Sequence, residues 1–232
     1  MLTVKGHNLQ ICPEDTAEVA RLVRFAQRRR LLVVPVNRGC SLEEVSPGRR
    51  NRLIINLSHL DKVLDFSPED FFITLQAGYK VSKLNSQLSR HGLFFPFSHP
   101  DLFESAASLV CKNLSAEFGE QKLEVKKFTL ALEVVTATGE IVNTGRVTFK
   151  NVVGYDLVRL FCGSWGRLGI ITAVTFRLFP LSRLPEYENL RYLEPKIPSL
   201  EQMKAPAKRE LNQRIKATFD PKGVFPSLNP LM

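Results

Sequence analysis

Two glycine-bearing stretches carry the chemistry that this chain can offer. Lys150-Asn151-Val152-Val153-Gly154-Tyr155-Asp156-Leu157 is followed closely by Gly163-Ser164-Trp165-Gly166-Arg167-Leu168-Gly169-Ile170-Ile171. Glycine permits positive φ and lets backbone approach a ligand closely, so a Gly/Ser-rich turn running into an apolar strand offers N–H groups to a cofactor. Acid–base or nucleophilic sets are harder to find. His59 stands in a turn, His91 precedes a helix-ending glycine and His99 lies in a Pro-flanked loop. Capping or surface roles suit all three better than that of a base. The cysteines Cys12, Cys40, Cys111 and Cys162 show no C-x-x-C spacing. That argues against zinc or a redox dithiol and for reduced thiols in a cytosolic protein. No metal site is expected.

Composition narrows the class. The chain has 232 residues, 44% hydrophobic and 24% charged, as expected for one globular domain, or one with an appendage. No apolar run approaches the ~20 residues that span a bilayer, and the opening residues lack a signal-peptide core. The net charge of +9 has two readings, attraction to an acidic partner or lipid, or a solvated basic surface. Its clusters, Arg28-Arg29-Arg30, Arg49-Arg50-Arg52 and Lys122-Lys126-Lys127, are dispersed and lack interleaved aromatics. Nucleic-acid binding is therefore not expected.

The elements that must position the glycine motifs follow from periodicity. Asp15, with Glu18 three residues on, caps a helix whose Val19, Leu22, Val23 and Ala26 form one stripe. Leu31 to Val34 reads as a buried strand stopped near Pro35, Leu53 to Leu57 as a second, and Phe72 to Gly78 as a third. Val81, Leu84 and Leu88 mark a helix ending at His91-Gly92. From Phe128 the texture becomes antiparallel, with a hairpin turning at Thr138-Gly139. Ile170 to Phe179 alternates like a half-buried strand. The Pro-rich stretch after Pro180 reads as a linker, followed by a helix over about 206–217.

In order and spacing these motifs resemble the FAD-binding oxidoreductases of the PCMH/vanillyl-alcohol oxidase type, and most closely the FAD-binding E subunit of glycolate oxidase. The resemblance rests on the two glycine motifs, on Pro13 to Val19, on Ile55 to Val63, on Ala77-Gly78 with the helix to Gly92, and on the tail Phe219-Asp220-Pro221-Lys222-Gly223-Val224-Phe225. It implies an α+β fold of two subdomains with FAD extended between them. The pyrophosphate then lies in a nest of backbone N–H groups, normally R-G-G-G-T, at Asn37, Arg38, Gly39, Cys40 and Ser41. A second segment, T-L-G-G-x-V-A-A-G-L-S-G in relatives, corresponds to Ser105 through Ala116, with every glycine replaced. The residues assigned to the cofactor are those five loop residues together with Pro100, Ala107, Ser108, Ser115, Gly163, Gly166, Gly169 and Ile170. Trp165 has two readings, stacking on the cofactor or filling its space.

The resemblance further implies an FAD-binding domain over 1–180, with linker and tail helix over 181–232; the family's substrate-binding cap is a departure here, the roughly fifty residues after Pro180 being too few for a full cap domain. The expected function is that of a non-autonomous FAD-binding subunit of a glycolate oxidase-like 2-hydroxy-acid dehydrogenase, with catalytic residues unassigned. It would act on a small 2-hydroxy acid beside flavoprotein and iron–sulfur subunits, in the cytoplasm or at a membrane through those partners. The rival reading is a degenerate flavoprotein fold serving as a scaffold in the same complex.

Overall fold

A computed structural model describes residues 2–5, 8–37, 51–100, 102, 104–145, 157–187, 189–195 and 206–227. Strands β1 (Leu2–Lys5), β2 (Asn8–Ile11), β3 (Leu32–Val36) and β4 (Arg52–Asn56) form one sheet in the order β1-β2-β4-β3; β2, β4 and β3 run parallel. Helix α1 (Thr16–Arg29) makes the crossover. Asp15 Oδ1 accepts the Glu18 amide at 2.6 Å, and Glu18 Oε2 accepts the Glu14 amide at 3.0 Å, so the cap anticipated from sequence is formed. Val19, Ala20, Val23 and Ala26 are its buried face.

Strand β3 runs through Pro35 instead of stopping there. Being an edge strand, it tolerates a residue without an N–H. Val33, two residues earlier and so directed to the same side, gives its N–H to Val224 O at 2.8 Å. The C-terminal tail thus lies along the outer edge of this sheet.

The second sheet has five antiparallel strands in the order β11-β10-β12-β6-β5: β5 (Val63–Ser67), β6 (Phe72–Gln76), β10 (Thr129–Val135), β11 (Ile141–Gly145) and β12 (Ile170–Arg177). Seven of the eight β12 residues are buried, where alternation had suggested one wet face. On the face opposite Thr172, Val174 and Phe176, Thr175 is satisfied internally, its Oγ1 lying 2.9 Å from Thr74 Oγ1; on the apolar face Thr172 Oγ1 donates to Glu133 Oε1 at 2.8 Å. Helix α1 packs on β3 of the first sheet and on β10 and β11 of the second, which joins the two subdomains into one hydrophobic cluster.

The helix expected before Gly92 is broken into 3₁₀ turns around a short α2 (Leu84–Leu88), and Gly92 adopts the left-handed conformation (φ 68°) that ends it. Helix α3 (Ala106–Lys112) packs on β12 and β6; α4 (Leu157–Phe161) packs on β10 and β11. Small pairs complete the body: β7 (Leu93–Phe94) with β13 (Phe179–Pro180), and β8 (Ser115–Phe118) between β9 (Gln121–Glu124) and β14 (Arg191–Leu193). The stretch read as a linker therefore contains a 3₁₀ segment, Leu181–Tyr187, and β14 laid onto the domain. Tyr192 Oη donates to Pro96 O at 2.7 Å there.

The last helix, α5 (Pro206–Phe219), packs through Phe219 edge-on against Phe161. Beyond it Asp220, 3% exposed, accepts the Val224 and Phe225 amides at 2.7 and 2.8 Å and the Lys216 ammonium at 2.6 Å. Lys216 also donates to Arg167 O at 2.7 Å and Phe225 O at 3.1 Å. These contacts clasp the tail to the turn that carries Trp165 and Arg167. No helix of the described residues is long and apolar enough to cross a membrane.

Candidate functional site

A cavity of about 40 Å³ lies between the two sheets, at the carboxyl ends of the parallel strands. Crevices at that end of an α/β sheet are where open parallel sheets take ligands. Pro35, Val36 and Asn37 close it from the end of β3, and Leu57 from the residue after β4. Helix α3 contributes Ala107, Ser108, Cys111 and Lys112. The turn into β12 contributes Trp165, Gly166 and Gly169, followed by Ile170 and Ile171 of the strand itself.

Of the residues assigned from sequence, Asn37, Ala107, Ser108, Gly166, Gly169 and Ile170 meet at this cavity. Pro100 is exposed, Ser115 is paired within the β8 ladder, and Gly163 is bonded to Val110 O without lining the cavity. Arg38, Gly39, Cys40 and Ser41 lie outside the described residues, as does most of the motif from Lys150 to Asp156. Sequence reasoning did not select Pro35, Val36, Leu57, Cys111, Lys112 or Ile171. Cys111, Lys112 and Ile171 lay inside the motifs quoted. Leu57 lay inside the quoted stretch Ile55 to Val63, but that stretch was read as a strand and turn, and Leu57's contribution depends on where β4 ends in space.

Each segment is fixed by protein contacts. Asn37 Nδ2 donates to Ala77 O at 2.9 Å, and the Ala107 amide reaches the same carbonyl at 3.1 Å. Ser105 and Ser108 form a reciprocal capping box at the start of α3, with the Ser108 amide on Ser105 Oγ at 3.3 Å. The Ala106 amide binds Tyr79 O at 3.0 Å. The first N–H groups of this helix are therefore engaged by protein acceptors.

At the other end of α3, Asn113, at a position where the resemblance implies glycine, adopts the left-handed conformation, φ 48°. Asparagine is one of the few side chains that enter that region readily. Its amide is anchored on Glu124 Oε1 at 3.0 Å, a carboxylate that Lys126, followed by lesser charges, holds below its ordinary pKa.

The turn into β12 is bonded to the end of α3. Gly163 N–H donates to Val110 O at 2.9 Å and Trp165 N–H to Cys111 O at 3.0 Å. Trp165 is 7% exposed and has φ +54°, a conformation that costs an L-residue roughly 1–2 kcal/mol. Gly166 is required by close approach, since a Cβ there would stand 2.9 Å from Pro35 Cγ.

The one cation of the described wall, Lys112, pairs with Glu104 at 2.6 Å, their side chains being 8% and 13% exposed. Arg167, on the turn that carries Trp165 but not itself a lining residue, is 7% exposed, and burial pulls its guanidinium pKa down to about 10. It remains charged at neutral pH.

Apolar walls with a few polar groups are what a cofactor ring system requires, so lining and position fit FAD. The volume is well below the ~300 Å³ at the small end of small-molecule sites, and side chains of the wall must move for the ring to enter.

Comparison with known proteins agrees with the geometry. A family model described as an FAD binding domain matches residues 8–145, more than half of the chain. Glycolate oxidase subunit GlcD of Bacillus subtilis (strain 168) is 31% identical over 189 residues, covering 78% of this chain and 40% of the relative. A probable mitochondrial D-lactate dehydrogenase of Danio rerio is 33% identical over 172 residues, covering 73% of this chain and 34% of the relative. The chain thus spans less than half the length of these relatives. A solved structure of alkyldihydroxyacetonephosphate synthase superposes with a TM-score of 0.61 at 22% identity, covering 74% of this chain and 31% of that one, and supports the fold alone. The crevice, the motifs that line it and these matches lead to one conclusion: the chain belongs to the FAD-binding domain family that includes these FAD-linked 2-hydroxy-acid dehydrogenases.

Proposed function

We propose that this chain is an FAD-binding subunit of a glycolate oxidase-like 2-hydroxy-acid dehydrogenase, and that it does not complete a turnover alone. The observation carrying this reading is the cavity at which the end of β3, helix α3 and the turn into β12 converge. Asn37, Ala107, Ser108, Gly166, Gly169 and Ile170 would hold FAD there, joined by the loop Arg38–Ser41. Bound FAD supplies the hydride acceptor. The chain's part is to orient it and exclude water.

Support for non-autonomy comes from the wall itself. Among the described lining residues the only ionisable groups are Cys111 and Lys112, and Lys112 is tied to Glu104. Neither a carboxylate nor an imidazole is among these described lining residues to take a substrate proton. The division into an FAD-binding domain over 1–180 and a tail over 181–232, the flavoprotein and iron–sulfur partners, and a cytoplasmic setting with membrane contact only through those partners belong to the same proposal.

The test is a visible spectrum and an FAD titration of the chain purified alone and with co-expressed partners, followed by dye-linked oxidation of glycolate and D-lactate. Flavin bands, with turnover only in the complex, are expected. Turnover by the isolated chain would refute the subunit role; a chain colourless in both preparations and indifferent to added FAD would refute the cofactor assignment. That second result belongs to another reading, an assembly scaffold built on a flavoprotein fold. The specific observation favouring it is the closure of the cavity to about 40 Å³.

A further inference from the structure

Arg167 is a buried cation without an anion. It is 7% exposed, its Nε is buried with no hydrogen-bond partner, and no ion pair to it is formed among the described residues. The carboxylate in this corner, Asp220, already accepts two amides and the Lys216 ammonium. Lys216 itself donates to the Arg167 carbonyl at 2.7 Å, so the corner holds two cations against one carboxylate. Three residues before Arg167, Ser164 Oγ is also buried without a partner. The Arg167 amide closes the turn on Ser164 O at 3.1 Å, so both orphans belong to one turn. Its neighbours Trp165 and Gly166 on one side, and Gly169 and Ile170 on the other, line the cavity.

A fold rarely buries a charge that nothing neutralises, and a buried hydroxyl normally finds a partner. Neither Arg167 nor Ser164 lines the cavity itself, but two such groups on the turn that supplies part of its wall call for an oxyanion. A guanidinium is suited to that task because its planar fork can take phosphate in a bidentate manner. Among the described residues, backbone donors at the start of α3 and in the turn are engaged: the amides of Ala106 and Ala107 on carbonyls, that of Ser108 on Ser105 Oγ, and those of Gly163 and Trp165 on the end of α3.

We propose that Arg167, with Ser164 Oγ on the same turn, is the oxyanion receptor of this chain and takes a phosphate of FAD. Side-chain charge thereby replaces backbone amides where glycines have been lost. Naming FAD as the source rests on the cofactor reading above; the receptor itself does not.

The test uses the full chain as wild type, Arg167→Met and Arg167→Lys. FAD affinity is read from quenching of Trp165, the single tryptophan, and melting temperature is followed with and without inorganic pyrophosphate. Arg167→Met should weaken FAD at least ~100-fold, as expected when one member of a buried charged pair is removed. Arg167→Lys should fall between it and wild type. Without ligand, Arg167→Met should melt no lower than wild type, because it removes an uncompensated buried charge.

FAD affinity within threefold of wild type in Arg167→Met would overturn the proposal. So would an unliganded Arg167→Met that melts well below wild type or does not fold, since Arg167 would then be a structural residue. If wild type ignores FAD but is stabilised by pyrophosphate in an Arg167-dependent way, the receptor stands and the FAD reading falls. If neither ligand acts on wild type, both fall.

Discussion

Replacing Asp220 by alanine tests whether the tail is clasped electrostatically. The carboxylate is 3% exposed and accepts three hydrogen bonds, from Val224 N at 2.7 Å, Phe225 N at 2.8 Å and Lys216 Nζ at 2.6 Å. Truncation would leave two amides without acceptors and the ammonium with only the carbonyls of Arg167 and Phe225. Breaking a buried pair by removing one partner costs about 3–5 kcal/mol, and each orphaned amide about 1–3 kcal/mol. These costs overlap, and Lys216 limits the first of them: burial already lowers its pKa, so without Asp220 it can shed its proton. A net loss of about 4 kcal/mol is expected, a large part of the ~5–15 kcal/mol that holds such a domain together. At ~2–4 °C per kcal/mol for this chain length, the melting temperature should fall by about 8–16 °C. Urea and thermal melts measure the loss, and limited proteolysis should show α5 cut first. Adding Lys216→Met to Asp220→Ala should restore at least ~1 kcal/mol by removing the stranded charge. The reasoning fails if Asp220→Ala costs less than about 1 kcal/mol, or if the double variant recovers nothing.

Other expectations are open to similar checks. Gly78→Ala would place a Cβ 2.3 Å from Leu57 O and 2.9 Å from Leu60 O; these are backbone atoms, so a loss of at least ~2 kcal/mol in a urea melt is expected, and a neutral outcome would mean this turn can shift. Ala107→Gly should tighten FAD in a fluorescence titration by removing a methyl from the cavity wall, while costing about 1 kcal/mol of helix stability; unchanged affinity would place the flavin elsewhere. Tyr192 is held by burial at a pKa of about 12, against an ordinary 10.0. The folded state then keeps a proton that the unfolded chain loses, so the stability involved is intact below pH 10 and is lost as pH rises toward 12. Tyr192→Phe should flatten that decline relative to wild type, and parallel stability–pH curves would contradict the assignment.

Legibility from sequence divided along physical lines. Local signals survived: the Asp15–Glu18 spacing specified the start of α1, and Gly92 its left-handed helix end. What depended on neighbours in space did not. Pro35 looked like a strand stop because nothing local says that β3 is an edge, and Thr175 looked wet because its hydrogen-bond partner, Thr74, is ~100 residues away. The motifs located the crevice, but which residues of the α3 segment face it is a matter of helix phase, so Cys111 and Lys112 were passed over beside Ala107 and Ser108. The tail motif was recognised by its letters. That its aspartate closes a clasp on the turn carrying Arg167 could be seen only once the chain was folded.

The contact between Val33 and Val224 also sets an order of events during synthesis. The outer edge of β3 is complete early, yet the residues that cover it emerge roughly 190 positions later, on the order of 10–40 s at ribosomal rates of ~5–20 residues per second. For that interval the nascent chain carries a bare parallel-sheet edge, the kind of surface that recruits stray strands. Pro35 lies on that edge and offers it no N–H. The proline that is only tolerated in the finished fold is thus a guard for the unfinished one.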